Sequence, residues 1–208
     1  MSLTLYTSST IIEELKDVYQ TGSATLAFFY FDFRDTGKQD VRSLLSSLLV
    51  QLSNRSNNFR TILSRLYSTH ERGSIQPSKD ALMNCLKDML TLPGQGELYI
   101  VVDALDECPN LSGYPTPREQ VLMVIEELVE LHLPHVHFCV TSRPEVDIQD
   151  VLGGLAVYDV SLHEQAGHNQ DISDYIKSVV SSDPKMRRWR EGDKQLVIKT
   201  LTETAGGM

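Results

Sequence analysis

The segment VVDALDEC holds the densest group of side chains that could take part in chemistry. An apolar run over residues 98–102 ends in Asp103, and Asp106 and Glu107 follow within one turn of chain. At the carboxyl end of a parallel strand, a carboxylate faces the ligand crevice and can hold Mg²⁺ directly or through water. A second acid nearby can orient or deprotonate a water that attacks a phosphate. Helix capping and a solvated acidic loop are equally open interpretations.

A second candidate group follows another apolar run, in the segment VTSRPE. If the two runs form neighbouring strands, Arg143 leaves the sheet at the same edge as Asp103. Its guanidinium could then contact a terminal phosphate and sense its presence. A structural ion pair with one of the three carboxylates is the alternative, and the spacing leaves both roles open.

Both groups require strands that end at one edge, and the hydrophobic pattern predicts four buried strands. Apolar residues at helical spacing predict helices between them, including one over residues 11–19 and others that begin after Asp40 and Ser78. Alternating strands and helices predict an α/β fold, with a parallel sheet that carries helices on both faces. The four strands are predicted over residues 24–33, 98–103, 136–140 and 156–162.

The composition predicts a cytoplasmic protein that binds neither nucleic acid nor membrane. A net charge of -9 lacks the basic footprint of general nucleic-acid binding. The three cysteines are odd in number and widely spaced, which disfavours disulfides and a zinc site and favours a reducing compartment. The amino terminus lacks the features of a signal peptide, and no apolar run is long enough to span a membrane.

Three segments stand in an informative order: FFYFD over residues 28–32, YIVVDALDEC over 99–108 and CVTSRP over 139–144. With this combination the chain resembles the NACHT domain of fungal STAND-class nucleoside triphosphatases, a group also described as nephrocystin-3-like at its amino terminus. The resemblance runs over residues 8–208. It implies an ATP- or GTP-dependent switch that uses Mg²⁺ and signals within a longer, repeat-containing chain.

The resemblance also implies roles for the four charged side chains. Asp103 matches the Walker B residue that holds magnesium. Asp106 and Glu107 match the downstream acids that activate water. Arg143 matches the sensor of the nucleotide's phosphate.

The chain departs from the family pattern at the phosphate-binding loop. The family has GxxGxGK(S/T) between its first strand and first helix, where backbone N–H groups and a lysine hold the phosphates. Here residues 3–5 stand near that position, and no glycine precedes Gly22. Since positioning and electrostatics are nearly all that a protein contributes to phosphoryl transfer, we expect this chain to bind no Mg²⁺ and no nucleotide by itself. We expect a truncated gene model or a decayed copy as the cause.

The same departure removes a strand from the predicted sheet. In the family order 5-1-4-3-2, the first strand lies between the strands predicted at 136–140 and 156–162. Without it we expect an incomplete P-loop-NTPase-like sheet, over residues 1–165, followed by the start of a helical extension over 166–208. An unpaired edge favours reduced stability, self-association and protein partners.

The preferred hypothesis is therefore a fragment of a signalling NTPase that acts as an interaction or switch module and does not hydrolyse nucleotide. One alternative is an active switch whose phosphate-binding loop lies in an upstream segment. Another is a magnesium-dependent phosphoesterase built on Asp103, Asp106 and Glu107.

Two weaker signals complete the sequence. Three histidines, His132, His135 and His137, have a conceivable metal spacing but no nearby cysteine or carboxylate. The basic segment KMRRWR, over residues 185–190, could bind a partner. We favour a solvated loop in which Trp189 is anchored in the core.

Overall fold

Two separate units account for the residues that the computed structural model describes, which are 24–111, 113–160 and 168–205. The first unit ends at Ala156 and the second begins at Val157. The boundary predicted between residues 165 and 166 lies outside the described residues. So do the helix predicted at 11–19 and the position expected for the phosphate-binding loop.

Strands and helices alternate in the first unit, which confirms the predicted α/β class. Its elements are β1 (Ala24–Tyr30), α1 (Val41–Ser53), α2 (Asn57–Thr69), α3 (Lys79–Leu90), β2 (Glu97–Asp103), α4 (Pro117–Val129), β3 (Val136–Val140) and α5 (Val146–Leu155). Short 3-10 turns lie at Thr36–Lys38, Glu71–Gly73 and Leu105–Glu107. The second unit contains α6 (His168–Ser182), a 3-10 turn at Met186–Arg188 and α7 (Glu191–Ala205).

The helix starts follow from capping side chains. The Asp40 carboxylate accepts from the Ser43 amide at 2.7 Å, and the Ser78 hydroxyl accepts from the Ala81 amide at 3.1 Å. Each cap satisfies an N–H group that the first turn of a helix leaves unpaired, and contributes about 1 kcal/mol. Both predicted starts are therefore confirmed.

The three strands form a parallel sheet in the order β1-β2-β3. Tyr30 pairs with Asp103, and Val102 pairs with Val140, so all three strands end at one edge. In the family order 5-1-4-3-2 these are strands 2, 3 and 4, so the observed order agrees with the one that the resemblance implies, and this edge is where the candidate site residues emerge.

Alternate residues of each strand face the helices and form the main core. On β2 these are Leu98, Ile100 and Val102, and they join the leucines of α1, including Leu44 and Leu45. The opposite face carries a smaller cluster centred on Leu26 and Val101, with partly buried Phe28, Tyr99 and Cys139 packed beside it. Because successive side chains of a strand point to opposite faces, one residue in two on each strand packs against the helices and holds the sheet to them.

The fourth predicted strand is wrong for residues 156–160, which form no strand, while residues 161 and 162 lie outside the described part of the chain. Val157, Tyr158 and Val160 are exposed there. A strand is held by ladder bonds to a neighbour, so β-prone residues without such a neighbour do not form one.

The predicted core position of Trp189 is also wrong. Its side chain is 45% exposed, and Tyr175, Leu196 and Leu201 of the same unit are exposed too. Two helices enclose little interior, because burial falls as a unit becomes smaller.

We expect Leu45→Ala to lower the free energy of unfolding by about 2–5 kcal/mol, because it leaves a cavity between α1 and the sheet. Leu45 is fully buried, whereas Val50 on the same helix is largely exposed. Urea denaturation should give a change below about 0.5 kcal/mol for the control Val50→Ala. Similar losses for both variants would contradict the described core.

Candidate functional site

Asp103 is the last residue of β2 and is only 1% exposed. The Thr141 hydroxyl donates a hydrogen bond to its carboxylate. The same hydroxyl accepts from the Ala104 amide at 3.2 Å, and the Thr141 amide donates to the Val102 carbonyl at 2.9 Å. Since a buried carboxylate requires hydrogen-bond donors, Thr141 satisfies Asp103 and fixes the end of β3 to the end of β2.

The chain reverses directly after the strand, at Ala104. This residue has φ 53° and ψ 47°, a left-handed conformation that costs a non-glycine residue about 1–2 kcal/mol. The bend leads into the turn Leu105–Glu107, in which Leu105 is fully buried. Burial of Leu105 holds the turn, and the two acidic side chains are thereby brought to the sheet edge.

Asp106 and Arg143 form an ion pair at this edge. Arg143 Nε lies 3.4 Å from the Asp106 carboxylate, and the Arg143 amide donates to the same carboxylate at 3.0 Å. The Asp106 side chain is 10% exposed and that of Arg143 is 67% exposed. The structural ion pair considered from the sequence is thus the arrangement present, and its exposed guanidinium contributes about 0–1 kcal/mol.

Glu107 contacts the loop that follows β1, where its carboxylate accepts from the Phe33 amide at 3.3 Å. In this loop Arg34 donates to Asp32 through its backbone at 2.9 Å and through Nε at 3.1 Å. These bonds hold the pKa of Asp32 below its usual value. All three strand ends therefore contribute an acidic side chain or its partner to one edge.

The donor set does not by itself fit a resident magnesium ion. Each of the three predicted carboxylates has a different partner: Asp103 has Thr141, Asp106 has Arg143, and Glu107 has the loop after β1. Among the described residues, no group of three or more histidines, cysteines or acids is arranged to hold a metal ion. The roles suggested for these side chains by the family resemblance stay predictions.

Arg118, in the first turn of α4, was missed by the sequence analysis. It is 8% exposed, and its Nε donates to the Cys108 carbonyl at 3.0 Å, its Nη2 to the Asp106 carbonyl at 2.6 Å. Its Nη1 lies 3.3 Å from the Asp147 carboxylate. A positive charge near a helix amino terminus interacts unfavourably with the helix dipole. The position of Arg118 in the sequence could therefore have indicated that its side chain has partners outside the helix.

Two of the cysteines, Cys85 and Cys108, are buried, and Cys108 directly follows the turn that carries the acids. Cys108 is fully buried and donates through Sγ to the Gln39 carbonyl at 3.4 Å. Burial raises the pKa of Cys108 to about 12 and that of Cys85 to about 11. Both are neutral at physiological pH, so neither supplies a thiolate nucleophile.

The three histidines of the helix-to-strand turn point to separate partners. His132 Nδ1 bonds the Glu130 carbonyl, His135 Nε2 lies 3.0 Å from the Leu90 carbonyl, and His137 Nε2 lies 2.7 Å from Glu97. Their different partners explain these residues as local structure.

A parallel sheet that gathers acids and an arginine at its carboxyl edge defines an α/β domain with its candidate site at the strand ends. The chain belongs to the family described as Nephrocystin 3, N-terminal, whose model matches residues 5–143. This match spans all three strands and the edge from Asp103 to Arg143. No curated protein and no solved structure matches the chain. Within the described residues, no helix combines the length and the apolar character that crossing a membrane requires.

We expect Arg118→Ala to lower the free energy of unfolding by about 3 kcal/mol, because two carbonyls and Asp147 lose a buried charged donor. Arg118→Lys should recover only part, since an ammonium cannot reproduce the guanidinium fork. The comparison is Arg143→Ala, for which chemical denaturation should register less than about 1 kcal/mol. Equal effects at the two arginines would refute the structural role of Arg118.

We expect Cys85 and Cys108 to resist iodoacetamide at pH 8 in the folded chain, because both are buried and their pKa values are raised. Both should react once urea unfolds the protein, and mass spectrometry of the peptides reads this directly. The free energy of unfolding should fall as the pH rises above 9, because the thiols ionise there in the unfolded chain and stay neutral in the folded chain. Rapid labelling of Cys108 in the native chain would contradict the described packing.

Proposed function

We propose that this chain is a NACHT-related signalling module that acts through protein contacts and does not bind or hydrolyse nucleotide by itself. Membership of the nephrocystin 3 N-terminal family supports the NACHT relation. The 208 residues contain no GxxGxGK(S/T) motif. The module would be one part of a signal-transduction protein, and its contribution would be recognition.

The observation that carries this proposal is that the acidic side chains at the sheet edge already have partners within the chain. Asp103 accepts from Thr141, and Asp106 is paired with Arg143. Glu107 adds a third carboxylate, so acids outnumber the arginine there. Phosphoryl transfer requires cations and amide donors around the phosphates, whereas this edge would place carboxylates next to them.

The side of β3 that faces away from β2 supports the protein-contact part of the proposal. No strand within 24–111, 113–160 or 168–205 pairs with β3 on that side. An edge of this kind exposes backbone N–H and C=O groups, which are a template for another chain. A partner strand, or a second copy of this chain, would satisfy those groups.

The second candidate function is an ATP- or GTP-dependent switch completed by an upstream segment. The position of Asp103 at a strand end and the exposure of Arg143 favour it, because an exposed guanidinium can leave Asp106 for a phosphate. In that case Asp103 would hold Mg²⁺ and Arg143 would sense the nucleotide. Asp106 and Glu107 would then face the attacking water.

Titration of the 208-residue chain with fluorescent ATP and GTP analogues and Mg²⁺ separates the two candidates. We expect no saturable change in anisotropy up to about 1 mM. The sequence lacks the GxxGxGK(S/T) motif, whose backbone amides and lysine hold the phosphates. Asp103→Ala and the exposed control Asp88→Ala should behave like the parent chain. Micromolar binding that Asp103→Ala abolishes would overturn the proposal and favour the switch.

Sedimentation equilibrium tests the protein-contact part. We expect the mean mass to rise with concentration, because a strand edge that no described strand pairs favours association. A strictly monomeric, cooperatively melting chain would contradict self-association.

A further inference from the structure

A cleft lies on the first unit, and none of the residues of the acidic edge lines it. It has a volume of about 670 Å³ and is formed by α1, α2 and the segment that leads into α3. Its apolar walls include the exposed side chains of Val50, Tyr67 and Ile75 and the partly buried Leu63 and Leu66. This volume falls within the range of about 300–1,000 Å³ that small-ligand sites occupy, and such sites are mostly apolar with a few polar groups.

The charge of the cleft is opposite to that of the chain. The residues that line it include Arg42 and Arg60 and no aspartate or glutamate, although acids outnumber lysines and arginines 28 to 19 in the whole sequence. Arg42 donates through Nη1 to the Pro77 carbonyl, which uses one of its five N–H donors. A cationic lining over an apolar wall favours an occupant that has an anionic head and an apolar body.

The rim of the cleft is conformationally strained. Glu71, Arg72 and Gly73 follow one another with φ of 51°, 55° and 88°. A Cβ at Gly73 would lie 2.9 Å from Cε2 of Tyr67, a residue that lines the cleft. Left-handed non-glycine residues cost about 1–3 kcal/mol each, and they cluster at ligand clamps and switch segments.

We propose that this cleft binds a long-chain carboxylate. The apolar chain would lie against the exposed Val50, Tyr67 and Ile75, and the carboxylate would accept hydrogen bonds from Arg42 and Arg60. The volume of about 670 Å³ suits a single small molecule. The site is separate from the acidic edge, and the proposal does not depend on nucleotide binding.

The test is calorimetric titration of the 208-residue chain with dodecanoate below its micelle concentration. We expect one site per chain and no binding of dodecyltrimethylammonium, which has the same tail and the opposite charge. Arg60→Glu should weaken dodecanoate binding by about tenfold or more, since a charged hydrogen bond is lost and a repulsive charge is added. The matched control Arg65→Glu lies on the same helix, exposed and outside the cleft, and should bind as the parent does.

Ser64→Trp provides a second variant, because Ser64 is an exposed residue of the lining and a bulky side chain there would fill the space. It should abolish binding while circular dichroism shows an unchanged melting curve. Absence of dodecanoate binding, equal binding of the cationic detergent, or equal binding by Arg60→Glu would each overturn the proposal. So would loss of self-association in Arg60→Glu without dodecanoate binding, because the occupant would then be a second copy.

Discussion

The hydrogen bond from Thr141 to Asp103 is the contact on which the geometry of the candidate site depends. A carboxylate that is almost completely buried is tolerated only when donors replace water. Here the donor is the hydroxyl of Thr141, the residue that follows the neighbouring strand, and this hydroxyl accepts in turn from the Ala104 amide. The ends of β2 and β3 are therefore joined by side chains as well as by the backbone ladder. The left-handed bend at Ala104 and the turn that holds Asp106 and Glu107 start from this fixed point.

Two arginines act on this turn in different ways. Arg118 is buried and donates hydrogen bonds to the carbonyls of Asp106 and Cys108, so it stabilises the backbone of the turn. The side chain of Arg143 is exposed. Its guanidinium pairs with the Asp106 carboxylate, and its backbone amide donates to the same carboxylate. The inner arginine therefore contributes mainly to stability, whereas the outer one can exchange its partner at little cost in free energy.

The sequence predicted much of the first unit, since its signals are local. Strand β3 was predicted with its observed bounds, and Asp40 and Ser78 marked helix starts through capping chemistry that operates within one turn. The roles of Arg118 and Trp189 were not predicted correctly, because burial depends on which distant elements meet. Of the strand expected at residues 156–162, the described residues 156–160 form no strand for a related reason: β propensity does not supply a hydrogen-bonding neighbour. No periodic pattern in the sequence predicts the arginine-lined cleft, because three separate elements contribute residues to it.

The parallel register has a consequence for the order of folding. Ala24 pairs with Glu97, and all of α1, α2 and α3 lie between them in the chain. A parallel pair cannot form from a tight hairpin, so β1 and β2 meet only after this intervening chain has been closed into a loop. The helices need no such loop closure, so we expect them to form before the sheet. We therefore expect the acidic edge to form only when the ends of the strands are brought together.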